Sequence, residues 1–120
     1  MHVEPVRPEP APGTRGPAAE RAGKRLVAAL QEMVGGCADL LAMGERAWAS
    51  ATFSGARHTI TLRFKGTEDC EVADVFIEAL PEHEFALPGL LVADAQIRSV
   101  TFDSLPAPAM TVDAELLNED

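Results

Sequence analysis

Residues 47–65 read AWASATFSGARHTITLRFK, and their period of two decides the fold class. Ala47, Ala49, Ala51 and Phe53 alternate with Trp48, Ser50, Thr52 and Ser54. After Gly55, His58, Ile60, Leu62 and Phe64 alternate with Arg57, Thr59, Thr61, Arg63 and Lys65. Successive side chains of a strand point to opposite faces, so each run is a strand with one apolar face. The glycine between them predicts a hairpin turning at Ser54-Gly55 or Gly55-Ala56. Either turn sets odd-numbered residues of the first strand opposite even-numbered residues of the second. The Ala/Phe set then meets the Ile/Leu/Phe set, and the sheet has one face to cover.

The flanking segments supply the cover. From about Ala18, Leu26, Leu30, Met33, Val34, Cys37, Leu40 and Leu41 recur at helical spacing, which predicts one helix ending at Gly44 as its cap. Gly35-Gly36 falls inside that run, marking a break or a very close neighbour. Thr67 reads as an N-cap before Glu68, Asp69 and Glu71, with Val72, Val75, Phe76, Ala79 and Leu80 as the buried stripe and Pro81 as the stop. A short strand is expected at Glu84–Leu87 and a longer one from Leu91 to Phe102. The apolar parity slips near Arg98-Ser99, as a β-bulge would produce. After a loop at Ser104–Ala109, Met110, Val112, Ala114 and Leu116 give a last strand. The order α-β-β-α-β-β-β predicts an α+β two-layer sandwich: an antiparallel sheet of four or five strands with two helices on one face. No internal repeat is visible.

Residues 1–17 carry five of the nine prolines among charges and glycines, the composition of a flexible tail. Residues 18–117 form the single expected domain, and residues 118–120 are expected to fray.

The chain of 120 residues has Lys+Arg 10 and Asp+Glu 19, a net charge of −9. Residues 67–120 hold thirteen acidic side chains and one basic one, Arg98. That imbalance repels phosphate backbones and anionic membrane surfaces, so neither nucleic acid nor membrane is an expected partner. No apolar run is long enough to cross a bilayer, and Met1 to Ala19 lacks the apolar core of a secretory signal. Two cysteines, Cys37 and Cys70, are too few for a disulfide scaffold and read as buried free thiols of a reducing cytoplasm. Eight arginines against two lysines, with twenty alanines, suit a bacterial source rich in GC codons.

Catalytic and cofactor motifs are not found. There is no phosphate-binding glycine loop, no C-x-x-C or H-E-x-x-H, and no G-x-S-x-G elbow; neither cofactor nor metal is expected. His58 has the core parity of its strand and reads as a hydrogen-bonded core histidine. His83 sits between Glu82 and Glu84 in a charged connection. Both are the weak candidates for a pocket's polar handle.

Trp48 fits the core least well. Its parity places it opposite the apolar face, among Arg57, Thr59, Thr61 and Arg63, with Thr61 or Arg63 as its expected cross-strand neighbour. Tryptophan and arginine are enriched at interface hot spots, so Trp48, Arg57, Thr59, Thr61 and Arg63 form the expected interaction face. That face reads as basic and the C-terminal half as acidic, a pairing suited to self-association or to a protein partner. The reading is a small acidic cytoplasmic protein, a non-catalytic binding domain that self-associates. The alternatives are a small-molecule binder or enzyme with a pocket between helices and sheet, and an acidic inhibitor of antitoxin type.

Overall fold

The computed structural model describes residues 17–119. Two helices, α1 (Pro17–Met33) and α2 (Thr67–Ala79), accompany four strands, β1 (Asp39–Ala49), β2 (Ser54–Lys65), β3 (Leu91–Asp103) and β4 (Ala109–Glu119). The strands form one antiparallel sheet in the order β1-β2-β4-β3. Both helices pack on the same face: Leu26 and Leu30 of α1 and Ala73 and Phe76 of α2 share one core with Ile60, Leu62 and Phe64 of β2 and Val112, Ala114 and Leu116 of β4. The fold is α+β, as the alternating runs require. The unit α-β-β occurs twice, its hairpins joined through β2 and β4, a repeat of architecture that leaves no residue pattern in the sequence.

The first helix ends earlier than its apolar spacing suggests. Gly35 and Gly36 take φ of 69° and 79°, the left-handed region that costs other residues about 1–2 kcal/mol. Gly36 N–H donates to Gln31 O at 2.8 Å and Gly35 N–H to Glu32 O at 3.3 Å. This pair of bonds satisfies the orphan carbonyls of a helix end. Gln31 Nε2 also donates to Ala38 O at 2.7 Å, steering the chain into β1. Leu40, Leu41 and Gly44 therefore belong to a strand, not to the helix and its cap.

The hairpin register is corrected accordingly. Ala49 pairs with Ser54 and Trp48 with Gly55, so Ser54-Gly55-Ala56 lies inside β2 and cannot be the turn. Ser50–Phe53 is the loop, closed by Ser50 N–H to Phe53 O at 2.7 Å and Phe53 N–H to Ser50 Oγ at 3.1 Å. The predicted parity survives the shift but the partners change: Ala47, expected opposite Leu62 or Phe64, meets Ala56, and Met43 meets Ile60.

In α2 the buried side chains are Cys70, Ala73 and Phe76, followed by Leu80. Val75 and Ala79, expected in the stripe, are exposed, because the side of the helix turned to the sheet runs through Cys70, Ala73, Phe76 and Leu80, with Val72 and Ile77 at its margins. Residues 84–87 form no strand; a 3₁₀ turn at Leu80–Glu82 leads to a single bridge between Leu87 and Leu90. β3 shifts register twice against β4, between Val92 and Asp94 and between Ile97 and Ser99. The second shift is the bulge that the Arg98-Ser99 slip predicts. β4 runs through Glu119, so residues 118 and 119 pair within the sheet instead of fraying. The expected Pro-rich tail lies outside the described residues, except that Pro17 begins α1.

Candidate functional site

The face of the sheet turned away from the helices carries the residues singled out in the sequence. Arg57, Thr59, Thr61 and Arg63 project there from β2, between β1 and β4. A strand advances about 3.3 Å per residue, so Trp48, opposite Gly55, stands more than 20 Å from Arg63. No cation–π contact between them is geometrically available, and the five residues do not make one patch. The indole Nε1 of Trp48 is buried and meets no acceptor among the described residues.

The expected basic character of this face is also corrected. Acids from the neighbouring strands pair with its cations. Glu115 of β4 accepts from Arg57 Nε at 3.1 Å, Arg98 Nη1 at 3.0 Å and Gln96 Nε2 at 3.2 Å, and it is only 8% exposed. Asp113 accepts from Thr61 Oγ1 and Ser99 Oγ, each at 2.7 Å. Those two hydroxyls hold its carboxyl below the ordinary carboxylate range. Arg63 donates to Thr111 Oγ1 at 3.0 Å and lies 3.7 Å from Asp103; Lys65 lies 3.3 Å from Asp39. The acids of the C-terminal half are thus spent in part on the arginines of the N-terminal half. Parity alone could not show this, because it does not say that β4 would insert beside β2.

The two candidate histidines occupy different places. His58 is 1% exposed, and its Nε2 donates to Asn118 Oδ1 at 2.7 Å. An amide oxygen only accepts, so Nε2 carries a proton, and Nδ1 faces Gly23 of α1. Asn118 also lines a cavity of about 430 Å³ between α1 and the sheet, among Ala18, Ala22, Ala47 and Ala56. His83 is exposed, edge-on to Phe85 with ring centres 4.6 Å apart. It borders a separate hollow beside Glu32 and Met33. The fold does not bring the two imidazoles together.

Both cysteines are free, Cys70 buried and Cys37 half-buried. Burial and the adjacent Asp69 push the Cys37 thiol up, and burial followed by Asp74 and Asp69 does the same for Cys70. Cys70 Sγ faces the carbonyl of Phe64 at 3.8 Å. Neither is poised as a thiolate nucleophile. Among the described residues no group of three or more His, Cys, Asp or Glu could hold a metal ion, and no helix is long and apolar enough to cross a membrane.

What sequence reasoning missed is the edge of the sheet. β3 is an outer strand, and the 3₁₀ turn packs on it. Along its helix-side face Ala95 is buried and Val92 and Ile97 are half-buried. Beyond the bulge that face opens: Val100 is 42% and Phe102 58% exposed. Of the eight exposed large apolar side chains among the described residues, Leu91, Val100, Phe102 and Leu105 lie on β3 or two residues past it, so the apolar exposure is concentrated there. The parity slip at Arg98-Ser99 is the signal that could have found it. It turns Val100 and Phe102 onto the helix-side face, while only the topology shows that neither helix reaches them. Comparisons of the chain with family models, with curated proteins and with solved structures give no match.

Proposed function

We propose that this is a non-catalytic cytoplasmic interaction domain that pairs through the open edge of β3, with a second copy of the chain as the partner. The observation that carries the reading is the apolar pair Val100 and Phe102, exposed on an edge strand whose backbone groups on one side are unpaired. Open edges of this kind are templates for strand addition, and proteins that do not use them blunt them with charge, proline or bulges; both bulges of β3 lie before Ser99. Between Ser99 and Phe102 β3 carries neither.

A second copy suits this edge by symmetry. Antiparallel self-pairing about a two-fold axis at Thr101 sets Val100 of one copy opposite Phe102 of the other, twice. All four side chains then fall on the same face, forming one apolar cluster over the extended sheet. On the opposite face Asp103 falls opposite Ser99, so no like charges meet. The net charge of −9 opposes close approach, which makes the association weak and strengthened by salt.

Thr101→Cys tests the register. Under mild oxidation the variant forms a covalent dimer far faster than a control cysteine at Thr52, in the β1–β2 loop. Equal rates at the two positions would refute the pairing.

A further inference from the structure

We propose that the outward face of the sheet carries a binding site for a single phosphoryl group, built by Arg46, Arg57 and Arg98 around the buried Glu115. Three of the four strands contribute one guanidinium each, Arg46 from β1, Arg57 from β2 and, across β4, Arg98 from β3. Arg46 of β1 stands directly opposite Arg57 of β2, and Arg98 of β3 meets the same carboxylate as Arg57. Together with Gly44 and Thr59 they line an open cleft of about 380 Å³.

Directly opposed like charges destabilise an antiparallel pair. Here the Arg46–Arg57 opposition persists in a chain with nineteen acidic side chains, and Arg46 has no ion-pair partner among the described residues. Glu115 neutralises one unit of the three. Glu45, also at the cleft, belongs by register to the helix-side face, opposite His58. Asp94 of β3, on the same rung and face as Arg57, lines the adjoining hollow, so the positive excess is confined to the side of the cleft nearest Arg46.

The donor geometry suits a tetrahedral oxyanion. Arg57 is held through Nε and Arg98 through one Nη, so each keeps further N–H groups for another acceptor while Glu115 fixes its direction. The bulge after Ile97 places two consecutive side chains, Arg98 and Ser99, on the outward face, as bulges do where a side chain is re-aimed at a ligand. Thr59 adds a hydroxyl beside the arginines. Guanidiniums from three strands suit the three or four oxygens and the larger negative charge of a phosphoryl group better than the single charge of a carboxylate, which Glu115 already supplies. The acids lining the rest of the chain repel a polyanion, so the ligand is a lone phosphoryl group and not a nucleic-acid backbone.

The test is a titration of the full ¹⁵N-labelled chain, near neutral pH, with inorganic phosphate and separately with acetate, at ionic strength held constant with sodium chloride. The expected result is a saturable response to phosphate at the amides of 44–46, 57–59 and 98. It should weaken about tenfold or more in Arg98→Gln, as loss of a charge-assisted hydrogen bond implies. Arg46→Gln, which breaks no ion pair of the fold, is expected to weaken it as well and serves where Arg98→Gln unfolds. A non-saturating response, an equal response to acetate, or unchanged affinity in Arg46→Gln would each overturn the site.

Discussion

Replacing Asn118 with alanine tests whether the end of β4 belongs to the core. In the native fold His58 Nε2 donates to Asn118 Oδ1 at 2.7 Å, and the imidazole is 1% exposed. The alanine variant strands that donor. Losing a typical hydrogen bond costs about 1 kcal/mol, and leaving a buried polar group unsatisfied costs about 1–3 kcal/mol in all. Asn118 borders the 430 Å³ cavity, so water reaching the imidazole would bring the cost toward the lower end. We expect about 2 kcal/mol, which for a domain near 100 residues lowers the melting temperature by about 10 °C. Urea unfolding followed by circular dichroism measures it directly. Replacing both residues with leucine is expected to restore much of the loss, because no stranded donor then remains, and the pair is expected to show a coupling energy above about 0.5 kcal/mol. A shift below about 0.5 kcal/mol in Asn118→Ala would mean that residues 118 and 119 fray in solution and that His58 is satisfied some other way.

Other substitutions probe the register, the thiols and the acid limb. A Cβ at Gly55 would run into the main-chain oxygen of Asn118, a clash with backbone that no rotamer relieves; Gly55→Ala is expected to cost about 3 kcal/mol or more, and an unchanged melting temperature would contradict the β2–β4 pairing. Cys37 should alkylate slowly at neutral pH and faster in Asp69→Asn, because removing that negative charge lowers the thiol pKa; mass spectrometry of timed iodoacetamide reactions reads this, and equal rates would remove Asp69 from the account. The carboxyl of Asp113 is lower in the fold than in the unfolded chain. Its stabilisation is therefore complete above the unfolded value of about 3.9 and is lost as pH falls through the folded one. Asp113→Asn is expected to flatten the fall in stability below about pH 4, as measured by thermal melts across that range, and an unchanged acid limb would contradict it.

The strands most legible in the sequence were those whose alternation continues into the turn residues. His58–Phe64 and Met110–Leu116 show one apolar parity without interruption, and both lie at the centre of the sheet. The Leu26–Leu41 run misled because two of its members, Leu40 and Leu41, share the helix's phase by coincidence. The Gly35-Gly36 pair was the better guide, since two successive left-handed residues end a helix outright. The site was less legible than the fold. Arg57, Thr59, Thr61 and Arg63 were placed on the correct face from alternation alone. Their partners Glu115, Asp113, Thr111 and Asp103 lie about 50 residues away and meet them only because β4 inserts next to β2. Trp48 was assigned the wrong neighbour because the loop occupies Ser50–Phe53, several residues before the glycine that marks the apparent turn. Val100 and Phe102 share the helix-side face with Ala95 and Ile97 once the bulge is passed. Their exposure follows from strand order, with α1 packing on β1 and β2 and α2 on β2 and β4.

Sedimentation velocity of the wild type and of Phe102→Lys, from about 1 to 500 μM so as to bracket the weak affinity of a small interface, tests the central claim most directly. The account predicts a wild-type sedimentation coefficient that rises with concentration and salt toward that of a dimer, and a Phe102→Lys variant that stays monomeric while keeping its circular dichroism spectrum. A wild type that remains monomeric throughout, or a variant that associates equally well, would contradict pairing through β3.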